Sequence, residues 1–95
     1  MSLPMLVDKY IGSAEKVLNQ IQPTKPKQTI DAQAQNVIKQ AKSYFSDAKY
    51  YRDHGKLETS LASIAYCEGL LDALKLLGVA QFEWPTKPLA HKSEK

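Results

Sequence analysis

The side chains that could carry chemistry in this 95-residue chain are concentrated at residues 67–72. Glu68 and Asp72 are four residues apart, so on a helix the two carboxylates share one face. A helical di-metal site would place a histidine three residues after the glutamate, and Leu71 occupies that position. The spacing therefore favours a solvated acidic seam, or inter-helix ion pairing with Lys75, over a metal site.

The remaining reactive groups are one thiol and two imidazoles. Cys67 is the only cysteine and lies near apolar positions, which excludes an internal disulfide and predicts a buried, inert thiol. His54 precedes Gly55 at a predicted turn, where helix capping is its expected role, and His91 lies in the C-terminal tail. No Ser/His/Asp order or glycine-rich phosphate loop occurs. We therefore expect no catalytic, cofactor-binding or metal-binding residues, and a protein that is not an enzyme.

The composition is that of one folded, water-soluble domain. Hydrophobic residues make up 43% and charged residues 24% of the chain, and 95 residues can support a single core. The net charge is +3, and residues 23–56 hold most of the excess, with seven basic and three acidic side chains. No apolar run is long enough to span a bilayer, and residues 1–12 lack the pattern of a signal peptide. We expect a cytoplasmic protein with one domain at 1–84 and a flexible tail at 85–95.

Apolar residues recur every three or four positions in three segments, which predicts helices at about 3–22, 30–54 and 57–77. The third predicted helix is apolar around most of its circumference, so we expect it to lie between the other two or to be partly covered by a second copy. Phe82 and Trp84 should fold back over the end of the bundle. No strand pattern occurs. The predicted fold is an all-α, antiparallel, up-and-down three-helix bundle.

Three surface features are candidates for binding. Tyr50 points away from the apolar side of its helix and should be exposed. An edge of lysines, interrupted by acidic residues, would supply weak, salt-sensitive phosphate contacts, although a solvated helix face is favoured; its members are Lys39, Lys42, Lys49 and Lys56. Gly69 costs a helix about 1 kcal/mol relative to alanine. Either close helix–helix approach, with Tyr44 or Tyr66 covering the gap, or access of a ligand to the backbone would explain it.

The run YYRDHGK at 50–56, followed by ASIAYCEGLLDAL at 62–74, resembles the archaeal family called domain of unknown function 357. The resemblance covers about residues 5–84, and its specific part is 44–78. It implies a small all-helical up-and-down bundle in an archaeal cytoplasm. Some relatives are joined to nucleotidyltransferase-like domains, which implies an accessory or interaction role. The family supplies no catalytic residues.

We therefore expect a non-catalytic interaction or accessory module that binds a protein partner or itself as a homodimer, with no cofactor, metal or membrane. The candidate surface consists of Tyr50, Arg52, Asp53, Glu68, Gly69 and Asp72. Two alternatives are an accessory domain of a nucleotide-related enzyme and a weak nucleic-acid binder through the lysine edge.

Overall fold

A computed structural model describes residues 1–23 and 32–85 of the chain. It contains three helices, α1 (Leu3–Gln20), α2 (Ala32–Asp53) and α3 (Leu57–Leu76), and confirms the predicted all-α, three-helix fold. The predicted helix ends at 22, 54 and 77 were one or two residues too late. The predicted start of α2 near residue 30 lies outside the described residues, as do the rest of the proline-containing linker after Pro23 and the tail from residue 86, including His91.

The start and the buried face of α1 follow the sequence pattern. Ser2 Oγ accepts a hydrogen bond from the Met5 backbone N–H at 3.3 Å, and Pro4 lies in the first turn, where its missing N–H costs nothing. The buried residues of α1 lie at steps of three and four, namely Val7, Ile11, Ala14 and Val17. This stripe turns α1 towards the core.

A tight turn at Gly55 connects α2 to α3. Gly55 has a φ of +75°, which glycine adopts without the steric cost of a side chain. The Lys56 N–H donates to the Tyr51 carbonyl at 2.8 Å, and His54 Nδ1 lies 2.8 Å from the Tyr50 carbonyl oxygen. The predicted turn at Gly55 is therefore confirmed, and His54, one residue after the end of α2, caps that helix.

The core lies along α3, which packs against both other helices and most extensively against α2. Ile64, Cys67 and Leu71 of α3 are fully buried. The buried hydroxyl of Ser60 donates to the Ala48 carbonyl of α2 at 2.6 Å. The central position predicted for the third helix is confirmed, whereas the Ser60 hydrogen bond was not anticipated.

The chain after α3 folds back on the bundle as predicted. We call residues 79–84 the C-terminal strap. The strap includes a two-residue strand β2 (Ala80–Gln81), which pairs antiparallel with β1 (Gln22–Pro23). Phe82 is buried, and its ring meets that of Trp84 edge to face at 5.4 Å. The expectation of no strand was wrong for these residues, because two-residue strands are too short to show an alternating pattern.

Candidate interaction surface

The strap covers one side of α3 and uses one of the two predicted acidic residues. Trp84 Nε1 donates to Asp72 Oδ1 at 2.8 Å. The sequence suggested that Lys75 could pair with Glu68 or Asp72, but Lys75 forms an ion pair with a different residue. Its Nζ lies 3.6 Å from Glu83 Oε1 and 5.2 Å from the centroid of the Phe82 ring. Asp72 and Lys75 therefore hold the strap.

Glu68 and Cys67 are the two groups whose protonation the fold changes. Burial, and to a smaller extent the Asp72 carboxylate, raises the pKa of the half-buried Glu68 to about 7. Burial, followed by the charge of Glu68, raises the pKa of the Cys67 thiol to about 12. The predicted burial of Cys67 is confirmed. Its thiol stays protonated at neutral pH and is a poor nucleophile, since the thiolate is the reactive form.

The raised pKa of Glu68 predicts a pH-dependent stability. The folded state holds the Glu68 proton more tightly than the unfolded state does. The contribution of this proton to the free energy of unfolding is therefore fully present below a pH of about 4.5 and is lost as the pH rises through about 7. We expect Glu68→Gln to remove this loss, so that stability falls less between those values than in the wild type. Denaturant unfolding of both proteins across the range measures the difference. Parallel pH profiles would contradict the assigned pKa.

The hairpin end of α2 positions Tyr50, Arg52 and Asp53. Tyr50 is 56% exposed, which confirms its predicted exposure, and its ring lies 4.1 Å from the His54 ring. Arg52 Nη1 lies 3.3 Å from Asp8 Oδ1 of α1, and Arg52 Nε lies 3.1 Å from Asp53 Oδ1. The Arg52–Asp8 pair joins α2 to α1 at the surface, where such pairs contribute little stability.

The six candidate residues divide into two groups. Tyr50, Arg52 and Asp53 lie at the hairpin, whereas Glu68, Gly69 and Asp72 lie midway along α3. At 1.5 Å per residue, Gly69 is about 18 Å along the helix axis from Leu57, where α3 begins. Asp72 contacts the strap through Trp84, and Glu68 is half-buried, so Gly69 is the member of the second group that is exposed without a strap contact among the described residues.

Gly69 is exposed, and a Cβ added to it would meet no neighbouring atom within 4 Å. The predicted close approach of another helix at Gly69 is therefore wrong. Most exposed positions around Gly69 are uncharged, with exposed Asp72 at their border, and we call the uncharged ones the outer face of α3: Ala62, Ala65, Tyr66, Gly69, Ala73 and Leu76. Tyr66 is 59% and Leu76 86% exposed. The sequence predicted that the wide apolar surface of α3 could be partly covered by a second copy, but it did not single out these residues, whose signal is uncharged positions at helical spacing opposite Ile64 and Leu71.

The aromatic edge of the outer face is fixed by contact with α2. The Tyr66 ring stacks on that of Tyr44, with centroids 4.5 Å apart and planes 16° apart. Tyr44 is half-buried and Tyr66 is exposed. Tyr66 is therefore held in place by Tyr44 and leaves much of its own surface open.

The lysine edge is a separate feature on α2 and the turn. All four of its lysines are exposed, and Lys49 Nζ lies 5.3 Å from the Phe45 ring centroid. Nucleic-acid binding through this edge stays a prediction. Within residues 1–23 and 32–85, no group of three or more His, Cys, Asp or Glu side chains could hold a metal ion. No helix in this part of the chain is long and apolar enough to cross a membrane.

The fold and surface define a small three-helix domain whose central helix keeps one apolar face open. The family model described as a protein of unknown function, DUF357, matches residues 9–80, from within α1 to β2. The chain belongs to this family, as the tyrosine- and glycine-containing hairpin indicated. No curated protein matches the chain, and no solved structure does.

Proposed function

We propose that this protein is a non-catalytic protein-interaction module and that the outer face of α3 is its docking surface. The observation that carries this proposal is the exposure of large apolar side chains on a helix face that consists of uncharged residues and is bordered by Asp72. On the outer face Leu76 is 86% and Tyr66 59% exposed, and Leu77, directly after α3, is 74% exposed. Contiguous exposed apolar surface on a small domain is typical of a contact for another macromolecule.

The composition of the outer face suits a protein contact. Burying apolar surface contributes roughly 25 cal/mol per Å², so covering Leu76 and the Tyr66 ring favours association. Tyrosine is enriched at protein interfaces because it combines a large apolar ring with one polar atom. At Gly69 and Ala73 the side chains are small, which lets a partner approach the α3 backbone closely.

Three of the reactive groups, Cys67, His54 and Asp72, support the non-catalytic part of the proposal. Cys67 is buried and protonated at neutral pH. The His54 imidazole contacts the Tyr50 carbonyl oxygen at the C-terminal end of α2. Asp72 accepts the Trp84 hydrogen bond and lies outside any group of three potential metal ligands among the described residues. Each of these side chains has a structural role that accounts for its position.

Site-directed photo-crosslinking tests the proposal. A photoreactive residue at exposed Ala65 samples the outer face, and the same residue at exposed Ser46 of α2 is the matched control. In a lysate of the source cells we expect a discrete protein adduct from position 65 and none from position 46. Light scattering on the purified protein separates self-association from binding of a different protein. A monomer that gives no adduct from position 65 would contradict the proposal.

A further inference from the structure

The outer face has a length and width that one helix of a partner could cover. From Ala62 to Leu76 the face spans fourteen residue steps, or about 21 Å at 1.5 Å per residue, which is close to four helical turns. Gly69 and Ala73 form the stretch between the two large side chains, Tyr66 and Leu76, and Ala62 and Ala65 continue the strip beyond Tyr66. The face is therefore a shallow strip with a low centre, into which large apolar side chains of a partner would pack.

The charges along the strip are acidic. Asp72 borders one edge, and on α2 exposed Asp47 follows Tyr44, whose ring stacks on Tyr66, by three residues, or about one helical turn. Exposed Glu58 lies near the N-terminal end of the strip. The one cation of α3, Lys75, lies on the strap side and pairs with Glu83.

We propose that the outer face of α3 binds an amphipathic helix of a protein partner, and that lysine or arginine side chains flank the apolar strip of that helix. This inference rests on the proposed function and names the class of partner. An amphipathic helix presents apolar residues at i, i+3, i+4 and i+7, the same spacing as the positions on α3. Basic flanks complement the carboxylates of Asp47, Glu58 and Asp72, which speeds encounter and sets orientation.

The same charges disfavour two other occupants. If two copies paired through this face, their acidic edges would share one interface, and like charges there oppose association. An anionic membrane surface attracts helices with basic flanks and would repel these carboxylates.

The test uses two designed helical peptides of about 18 residues, long enough to cover the strip. Both carry the same leucine stripe, with lysines at the flanking positions in one peptide and glutamates in the other. Each peptide is titrated into the isotope-labelled full chain and followed by amide NMR. We expect the lysine peptide to shift amides along 62–76, to bind at least about tenfold tighter than the glutamate peptide, and to weaken as salt is added.

Arginine substitutions test the location of binding. Ala73→Arg places a bulky cation on the strip and should lower affinity for the lysine peptide about tenfold. Ser46→Arg adds the same charge at an exposed position of α2 away from the strip and should leave affinity unchanged. Ala62→Arg provides a second test position if Ala73→Arg lowers the helix content measured by circular dichroism.

Each outcome decides the inference. Equal or tighter binding of the glutamate peptide at the same amides would overturn the basic partner and leave the proposed docking surface standing. Concentration-dependent shifts along 62–76 without peptide, together with a dimeric mass, would overturn the partner helix in favour of a second copy. A monomer whose 62–76 amides respond to neither peptide would overturn the inference. The proposed function fails separately, only if position 65 also yields no crosslinked protein.

Discussion

Replacing Leu71 with alanine is expected to lower the free energy of unfolding by about 2–5 kcal/mol, the usual cost of truncating a buried leucine. Leu71 is fully buried on α3, the central helix, which packs against both α1 and α2. Truncation removes apolar surface from the core and leaves a cavity that the surrounding helices fill only in part. Small domains have a free energy of unfolding of about 5–15 kcal/mol, so this single substitution removes a large fraction of it. Urea unfolding followed by circular dichroism measures it.

Leu76→Ala is the matched control, because it makes the same substitution on the same helix. Leu76 is 86% exposed, so its truncation is expected to change stability by at most about 0.5 kcal/mol. If both variants lost equal stability, Leu76 would have to be buried in solution, for example in an interface. If neither lost stability, the assignment of the two sides of α3 would be wrong.

Replacing Phe82 with alanine is expected to lower the free energy of unfolding by about 3 kcal/mol, the lower part of the range for buried phenylalanine. Phe82 is 6% exposed, and its ring contacts both Trp84 and the Lys75 ammonium group. Loss of this anchor loosens the strap, because its remaining large-residue contacts are partly exposed: only the small Ala80 stays buried, and the Gln20 Nε2 hydrogen bond to the Glu83 carbonyl at 3.1 Å lies at the surface.

Trp84 is the only tryptophan, so its fluorescence reports the position of the strap directly. In the Phe82→Ala variant we expect a red-shifted emission in the folded protein as Trp84 becomes more exposed. Gln81→Ala, at an exposed position beside Phe82, should change neither emission nor stability appreciably. Unchanged unfolding and emission in Phe82→Ala would show that the strap is not part of the folded domain.

Much of the fold was predictable from local signals. Ser2 and Pro4 begin α1, and His54 with Gly55 ends α2, because each of these residues acts on the backbone within a few positions of itself. The apolar spacing that predicts the buried stripe of α1 is likewise a local property. The β1–β2 pairing was not predictable, since it joins residues far apart in the sequence that become neighbours only after the helices pack.

The candidate surface was predicted in part. Tyr50 is exposed as expected, and Glu68 and Asp72 share a side of α3. The hydrogen-bond partner of Asp72 depends on where the strap folds back. The strap places Trp84 beside Asp72, and it places Glu83 where it pairs with Lys75. Gly69 was assigned to a helix contact, but it lies on the side of α3 that faces away from the rest of the domain.

The sequence by itself determined three helices, their turns and a central helix that is apolar nearly all round, because periodicity and capping act over short distances along the chain. Only the tertiary structure decided which side of that helix is covered. Contacts with α1, α2 and the strap bury Ile64, Cys67 and Leu71, and leave Ala62, Tyr66, Gly69, Ala73 and Leu76 open. Apolar character shows that a surface can be buried, whereas the arrangement of its neighbours decides whether this chain or a partner buries it.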